Sequence, residues 1–138
     1  MDCNLRLAQE TEARRLDPKR VADGVNALLD DAAKGNYFVA EADGERAGQL
    51  LITFEWSDWR NGNFWWIQSV FVLERFRGAG VFRALFGHVQ SLARTRKDVC
   101  GLRLYVEGGN AKAQRAYASL GMKPTRYKFY ETDFVLNH

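Results

Sequence analysis

The sequence predicts a mixed α/β or α+β sandwich with helices on both faces of a single sheet. Three observations predict it. An Asp43-Gly44 signal and an Asn61-Gly62 signal separate three apolar, strand-like runs. The third run, residues 64–73, passes through a short glycine-containing turn into an amphipathic helix. A strand, a short helix and a strand-like tail follow. The predicted order is helix, helix, three antiparallel strands, helix, strand, helix, strand.

Each element has a local reason. Residues 5–16 read as a first helix, although Leu5-Arg6-Leu7 also alternates like a strand. Asp17-Pro18 starts the second, with Asp as N-cap and Pro at the first helical position. Val21, Val25, Leu28, Leu29 and Ala32 then recur at helical spacing, with Gly35 as the expected C-cap. Residues 37–42 and 46–56 are the two arms of the Asp43-Gly44 hairpin. Residues 64–73 are rich in aromatic and β-branched side chains, and such a near-continuous apolar run suits a central strand covered on both faces. Val81, Leu85, Val89, Leu92 and Ala93 form one helical stripe. Leu102, Leu104 and Val106 alternate as a strand. Asn110 caps a helix in which Ala113, Tyr117 and Leu120 share a face, and Gly121 ends it. Residues 125–136 read as one more strand or a strand pair. Without repeat, low-complexity tract or linker, residues 1–138 are expected to form one domain.

Composition narrows the function classes. Of 138 residues, 46% are hydrophobic and 27% charged, and nine Phe, five Tyr and four Trp supply the apolar surface a core needs. Disorder is excluded. The longest uncharged stretch, residues 61–73, is too short and too polar at Gln68 and Ser69 to span a bilayer, and no secretory leader is recognisable. Cys3 and Cys100 lack ligand-like spacing and read as reduced thiols of a cytoplasmic protein. With only His88 and His138 as imidazoles, neither a metal site nor a Ser-His-Asp triad is expected.

Charge is uneven. Residues 1–45 hold ten acids and six bases, whereas residues 46–138 hold seven acids and fourteen bases. Arg75, Arg77, Arg83, Arg94, Arg96 and Lys97 fall in one acid-free stretch, which suits a phosphate-bearing partner. A nucleic-acid-binding domain is disfavoured because the bases are otherwise scattered.

The strand-turn-helix segment Val70-Phe71-Val72-Leu73-Glu74-Arg75-Phe76-Arg77-Gly78-Ala79-Gly80-Val81-Phe82-Arg83 has the makings of an anion site. The first turn of a helix leaves backbone N–H groups without internal partners, and its dipole adds roughly half a positive charge. Gly78 and Gly80 would let a pyrophosphate approach the backbone. Two glycines before a helix also fit a plain tight turn. A Walker loop is excluded because no Gly-Lys-Ser/Thr follows, and the Rossmann pattern lacks its third glycine and later acid.

Arg75-x-x-Gly78-x-Gly80, between an apolar strand and a helix with Leu85 on its inner face, resembles the acetyl-CoA-binding signature of the GNAT superfamily of N-acyltransferases. A second marker follows: Asn110-x-x-Ala113-x-x-x-Tyr117-x-x-x-Gly121-Met122 is similar to the Asn…Ala…Tyr…Leu-Gly-Phe helix of that family. The resemblance implies a mixed, mainly antiparallel sheet, with acetyl-CoA as co-substrate and no metal. It implies that the strand at 64–73 splays from its neighbour, so that Val70, Phe71 and Val72 offer backbone groups to the pantetheine arm. The pyrophosphate would lie on residues 77–83, that is Arg77, Gly78, Ala79, Gly80, Val81, Phe82 and Arg83, with Arg75 beside them. Asn110 would hydrogen-bond the co-substrate, and Tyr117 would aim its hydroxyl at the sulfur. Both residues keep plain readings as well, an N-cap for Asn110 and a core aromatic for Tyr117.

The implied chemistry needs such groups. A primary amine, with a pKa near ~10.4, must lose a proton before it attacks a thioester. The oxyanion needs a donor, for which the Val72 N–H is the candidate. The departing thiolate gains from an acid such as Tyr117.

Two departures from the family stand out. Many members carry a Glu four residues before the position of Val72; here it is Gln68. The base role then passes to Glu55, to Tyr127 or Tyr130, or to a water chain; Glu55 also reads as a surface carboxylate at a strand end. The family's usual opening strand also lacks a counterpart before residue 5. Trp56, Trp59, Trp65 and Trp66 are expected either to wall the acceptor pocket or to pack the core. The expected activity is N-acetylation of a small-molecule primary amine. The alternatives are a non-catalytic acyl-CoA-binding module and acetylation of a protein or peptide amine. No membrane or nucleic-acid partner is expected; a homodimer would suit a missing edge strand.

Overall fold

Asp17 and Pro18 open a helix as their chemistry dictates. The Asp17 carboxylate accepts from the Lys19 amide at 3.0 Å, and Pro18 takes the first position of α1, Pro18–Leu29. The computed structural model describes residues 4–6 and 15–136. Residues 4–6 are helical, while most of the helix expected at 5–16 and any strand before it lie outside the described residues. The end of α1 differs from expectation: Asp30, not Gly35, is its C-cap. A Cβ at Gly35 would lie 2.2 Å from the Ile52 carbonyl oxygen, so the glycine serves a close approach of chain to chain. Leu29 is exposed and does not join the apolar face.

Four strands follow in one sheet of order β1-β2-β3-β4: β1 Asn36–Ala42, β2 Glu45–Ser57, β3 Gly62–Val72 and β4 Val99–Arg103. The first three are antiparallel and β4 runs parallel to β3. Positive φ values at Asp43 and Gly44 (53° and 77°) are those a tight two-residue hairpin requires.

α2, Val81–Thr95, buries Leu85, Phe86, Val89 and Ala93. Burial of Leu85, Phe86 and Val89 is worth roughly 1.5–3 kcal/mol each. The sheet face it covers is identified by Phe38, whose ring lies 5.9 Å from His88, and by Trp65, 5.8 Å beneath the Arg96 guanidinium. Strand alternation and the pairs Ile52↔Ile67 and Phe54↔Trp65 put Leu50, Ile52 and Ile67 on that face too. The opposite face carries Tyr37, Gln49, Thr53, Glu55, Phe64, Trp66 and Gln68. Trp65 and Trp66, as neighbours in a strand, therefore point to opposite sides, and the four tryptophans do not form one wall. Trp65 is core, whereas Trp56 and Trp59 are exposed.

β4 lies three residues earlier than the alternation of Leu102, Leu104 and Val106 suggests, because its position is set by parallel pairing with residues 63–66 of β3. Two compact units meet in sequence between Tyr105 and Val106. The second holds α3, Ala111–Ser119. Its C-terminus is closed by Gly121 (φ 90°), with the Gly121 amide donating to the Ala118 carbonyl and the Met122 amide to the Tyr117 carbonyl. The strand expected over 125–136 does not form among the described residues. Tyr127, Phe129, Tyr130 and Phe134 satisfy a strand's local preferences but lie exposed, and the sheet among the described residues is made of β1 to β4 alone.

Candidate active site

The β3 strand is interrupted by a bulge. Leu51 pairs with Gln68 and Gln49 with Phe71, so Leu50 alone faces both Ser69 and Val70. Ser69 takes φ +50°, the left-handed region that a non-glycine residue seldom adopts. The Gln49 side-chain amide donates to the Ser69 carbonyl at 3.2 Å. On the other side of β3, pairing with β4 stops at Trp66↔Arg103. Residues 67–72 of β3 thus lie beyond the end of that ladder. The Leu73 amide donates to the Ala47 carbonyl on the β2 side. Since alternate residues of a strand point their backbone groups to opposite edges, Val70 and Val72 present theirs to the edge that β4 leaves uncovered.

The turn after β3 continues the same corner. Residues 74–76 form one short 3-10 turn, Gly78 and Gly80 take φ 79° and 81°, and α2 begins at Val81. A Cβ at either glycine would meet no atom within 4 Å, so both face open space. Gly80 caps α2 without any side-chain hydrogen bond, leaving the first amides of the helix to a ligand or to water. Gly48 seats this helix end: a Cβ there would lie 3.0 Å from Val81 Cγ1, 3.0 Å from the Phe71 carbonyl oxygen and 3.4 Å from Val72 Cγ2. A side chain at position 48 would crowd Val81, Val72 and the Phe71 carbonyl together.

Three arginines flank the corner. Arg77 Nε donates to the Val72 carbonyl at 2.8 Å, and its guanidinium lies 5.3 Å from the Phe71 ring centre. Arg75 pairs with Glu45 at the start of β2 and lies 5.0 Å over Phe76. Arg83 is exposed in the first turn of α2. A cavity of about 550 Å³ is lined by Arg6, Leu73, Glu74 and Arg75. The structure therefore gathers Val70, Phe71, Val72, Arg75, Arg77, Gly78, Ala79, Gly80, Val81, Phe82 and Arg83 around one strand-turn-helix corner.

Glu55 is elsewhere. It pairs with Phe64, eight residues from Val72 along β3, which is about 26 Å at ~3.3 Å per residue. Its carboxylate accepts from Arg103 Nη1 at 2.5 Å, and the same guanidinium lies 3.6 Å from the Phe64 ring centre. Gln68 is nearer the bulge, and its amide donates to Thr53 Oγ1 at 2.6 Å. In the second unit, Asn110 is the N-cap of α3 and accepts from the Ala113 amide at 3.1 Å. Tyr117 stands two turns later, half-buried, and burial pushes its phenol above the ordinary value. Among the described residues no group of three or more His, Cys, Asp or Glu could hold a metal, and no helix is long and apolar enough to cross a membrane.

Sequence reasoning missed three residues here. Gly48 had a signal, a glycine inside an apolar strand, which marks close backbone approach. Ser69 and Gln49 had none, because nothing in Ile67-Gln68-Ser69-Val70 distinguishes a bulge from regular alternation.

Comparison with known proteins shows the family. The acetyltransferase (GNAT) family matches residues 4–122. No curated protein matches the chain. A crystal structure of a possible acetyltransferase from Clostridium difficile 630 is 41% identical, with a TM-score of 0.90 over 98% of this chain and 89% of that one. The Trypanosoma brucei acetyltransferase shares the fold at 21% identity, with a TM-score of 0.67 over 95% of this chain and 89% of that one. An aminoglycoside 6'-N-acetyltransferase from Acinetobacter haemolyticus does so at 14% identity, with a TM-score of 0.74 over 97% and 92%. With a family match spanning most of its length and a relative so similar in sequence and fold, the chain belongs to the GNAT family of acetyltransferases.

Proposed function

We propose that the protein transfers an acetyl group from acetyl-CoA to the primary amine of a small molecule, by direct attack within a ternary complex. One observation supports this above the rest. The uncapped amino end of α2 is seated by Gly48 against the end of β3, where the strand has lost its β4 partner. An unpaired strand edge suits the amide-bearing pantetheine arm, and an uncapped helix start beside it suits a diphosphate.

In this reading Val70 and Val72 pair with the pantetheine arm, and the amides of residues 78–83 hold the diphosphate, with Arg75, Arg77 and Arg83 adding charge, while the Arg77 amide stays with the Glu74 carbonyl. Arg75 would first release Glu45, and Arg77 the Val72 carbonyl. The Val72 N–H stabilises the oxyanion that forms as the amine attacks. Asn110 contacts the co-substrate, and Tyr117 gives its proton to the departing thiolate. The raised pKa of Tyr117 keeps that proton in place through neutral and mildly alkaline pH. With Glu55 about 26 Å along the sheet from Val72 and bound to Arg103, the amine's proton leaves through water.

The test is twofold. Calorimetric titration with acetyl-CoA is expected to show saturable binding, and thiol release is expected with at least one amine from a panel of polyamines, amino acids, aminoglycosides and peptide amines. Absence of binding would overturn the reading. A second reading, a non-catalytic acyl-CoA-binding module, is favoured by Gln68, whose amide cannot take a proton and is engaged by Thr53. Tight binding with no thiol release from any amine would select it.

A further inference from the structure

The bulge on β3 holds Ser69 in a conformation it would not choose. For a residue with a Cβ, the left-handed region brings that atom against the following carbonyl, and such strain persists only where the surroundings impose it. What surrounds Ser69 is a chain of side-chain amides. Gln49 Nε2 donates to the Ser69 carbonyl at 3.2 Å and to Asn4 Oδ1 at 3.0 Å; Asn4 Nδ2 in turn donates to the Tyr37 hydroxyl at 3.1 Å. The direction of this chain follows from chemistry. A backbone carbonyl only accepts, so Gln49 must present its NH2 group to Ser69. The second hydrogen of that group then needs an acceptor, which fixes Asn4 with its oxygen towards Gln49 and its NH2 towards Tyr37. Every amide hydrogen of Gln49 is used, and none could be supplied by a residue of similar size without two donors.

We propose that Gln49 is a positioning residue for acetyl transfer. Its amide locks Ser69 in the left-handed bulge and thereby aims the Val70 and Val72 backbone at the thioester, while Asn4 and Tyr37 hold Gln49 in place. This rests on the reading that the β3 edge receives acetyl-CoA. Gln49 itself is cross-strand from Phe71, the residue between those two. A loose bulge would leave the edge present but misaimed, and small misplacements at a reacting centre cost rate more than they cost affinity.

The experiment compares wild type, Gln49→Leu, Gln49→Met, Ser69→Gly and the double variant Gln49→Leu/Ser69→Gly. Glycine adopts the bulge conformation without strain, so it should make the clamp dispensable. Gln49→Leu and Gln49→Met are expected to lower kcat by about ten- to a hundredfold, with KM for acetyl-CoA changed by no more than about threefold. Ser69→Gly alone should stay near wild type, and the double variant should recover most of the loss. A role in stability alone would lower the melting temperature without this split and without rescue by glycine. Wild-type kcat in both Gln49 variants, or a double variant no faster than Gln49→Leu, overturns the clamp. NMR coupling constants at Ser69 give a readout independent of turnover: positive φ in wild type, lost in Gln49→Leu, is expected, and an unchanged φ overturns the proposal. An inactive wild type with that conformational change would count against the proposed function and leave the clamp standing.

Discussion

Gly48 lies so close to Val81 that a Cβ would sit 3.0 Å from its Cγ1. The carbonyl of Phe71 is equally near on the backbone side, and that neighbour yields only if β3 moves. Gly48→Val should therefore destabilise the fold by about 1–3 kcal/mol, the usual cost of overpacking. It should also push the start of α2 from Val72 and weaken acetyl-CoA binding. Denaturant unfolding and calorimetric titration check the two effects separately. Unchanged affinity in a destabilised variant would show that the seating of α2 does not matter to the ligand.

Gly78 offers the contrasting case. A Cβ there meets open space, so the cost at the backbone is the positive φ, about 1–2 kcal/mol. A bulky side chain over the turn should nevertheless block a diphosphate. The expected result is acetyl-CoA affinity reduced more than tenfold with a melting temperature lowered by several degrees at most. Affinity equal to wild type would remove the turn from the binding site.

Arg103 and Glu55 bridge β2 and β4 across the Phe64 ring. Both are partly exposed, so the ion pair itself is worth no more than about 1 kcal/mol. Arg103→Ala should cost more than Glu55→Gln, because it also uncovers an aromatic ring. Equal losses in thermal unfolding would show that the stacking contributes nothing. Removal of a general base typically costs 10²-fold or more. Glu55→Gln is expected to fall well short of that, with thiol-release kinetics as the measure.

Much of this was legible in the sequence because local chemistry decides it. Asp17-Pro18, Asp43-Gly44 and the stripe through Leu85 and Val89 each carry a cap, a turn or a period that has one structural meaning. The glycine turn at 78–80 was legible for the same reason. What escaped depends on partners distant in sequence. Tyr127, Phe129 and Tyr130 look like strand residues, yet whether such residues join a sheet depends on a distant partner strand, and the sheet among the described residues holds β1 to β4. The bulge escaped because a serine was asked to do what glycine does easily, and the group that enforces it, Gln49, lies twenty residues away. Glu55 is expected on the strand next to β3, but its pairing with Phe64 is not legible in the sequence, because register is set jointly by the hairpin loop at 58–61 and the bulge.

In the proposed mechanism Tyr117 sets the alkaline side of the pH dependence. Its phenol is neutral when protonated, and burial disfavours the phenolate, so the folded-state pKa lies above the ordinary ~10. An acid of this kind is fully protonated below that value and is lost only as pH rises through the raised one. The attacking amine behaves in the opposite sense, since its reactive fraction grows as pH climbs towards ~10.4. With no carboxylate at position 68 to take the proton earlier, kcat/KM should rise with unit slope through neutral pH and bend only above about 9–10. Tyr117→Phe keeps the ring and the helix face, and should lower kcat by about a hundredfold while leaving KM for acetyl-CoA within a fewfold. Because the thiolate of a more acidic thiol needs no proton to depart, the variant's deficit should shrink with an activated acetyl thioester. A deficit that stays the same across leaving groups would mean that Tyr117 serves packing, and that the proton for the sulfur comes from another group.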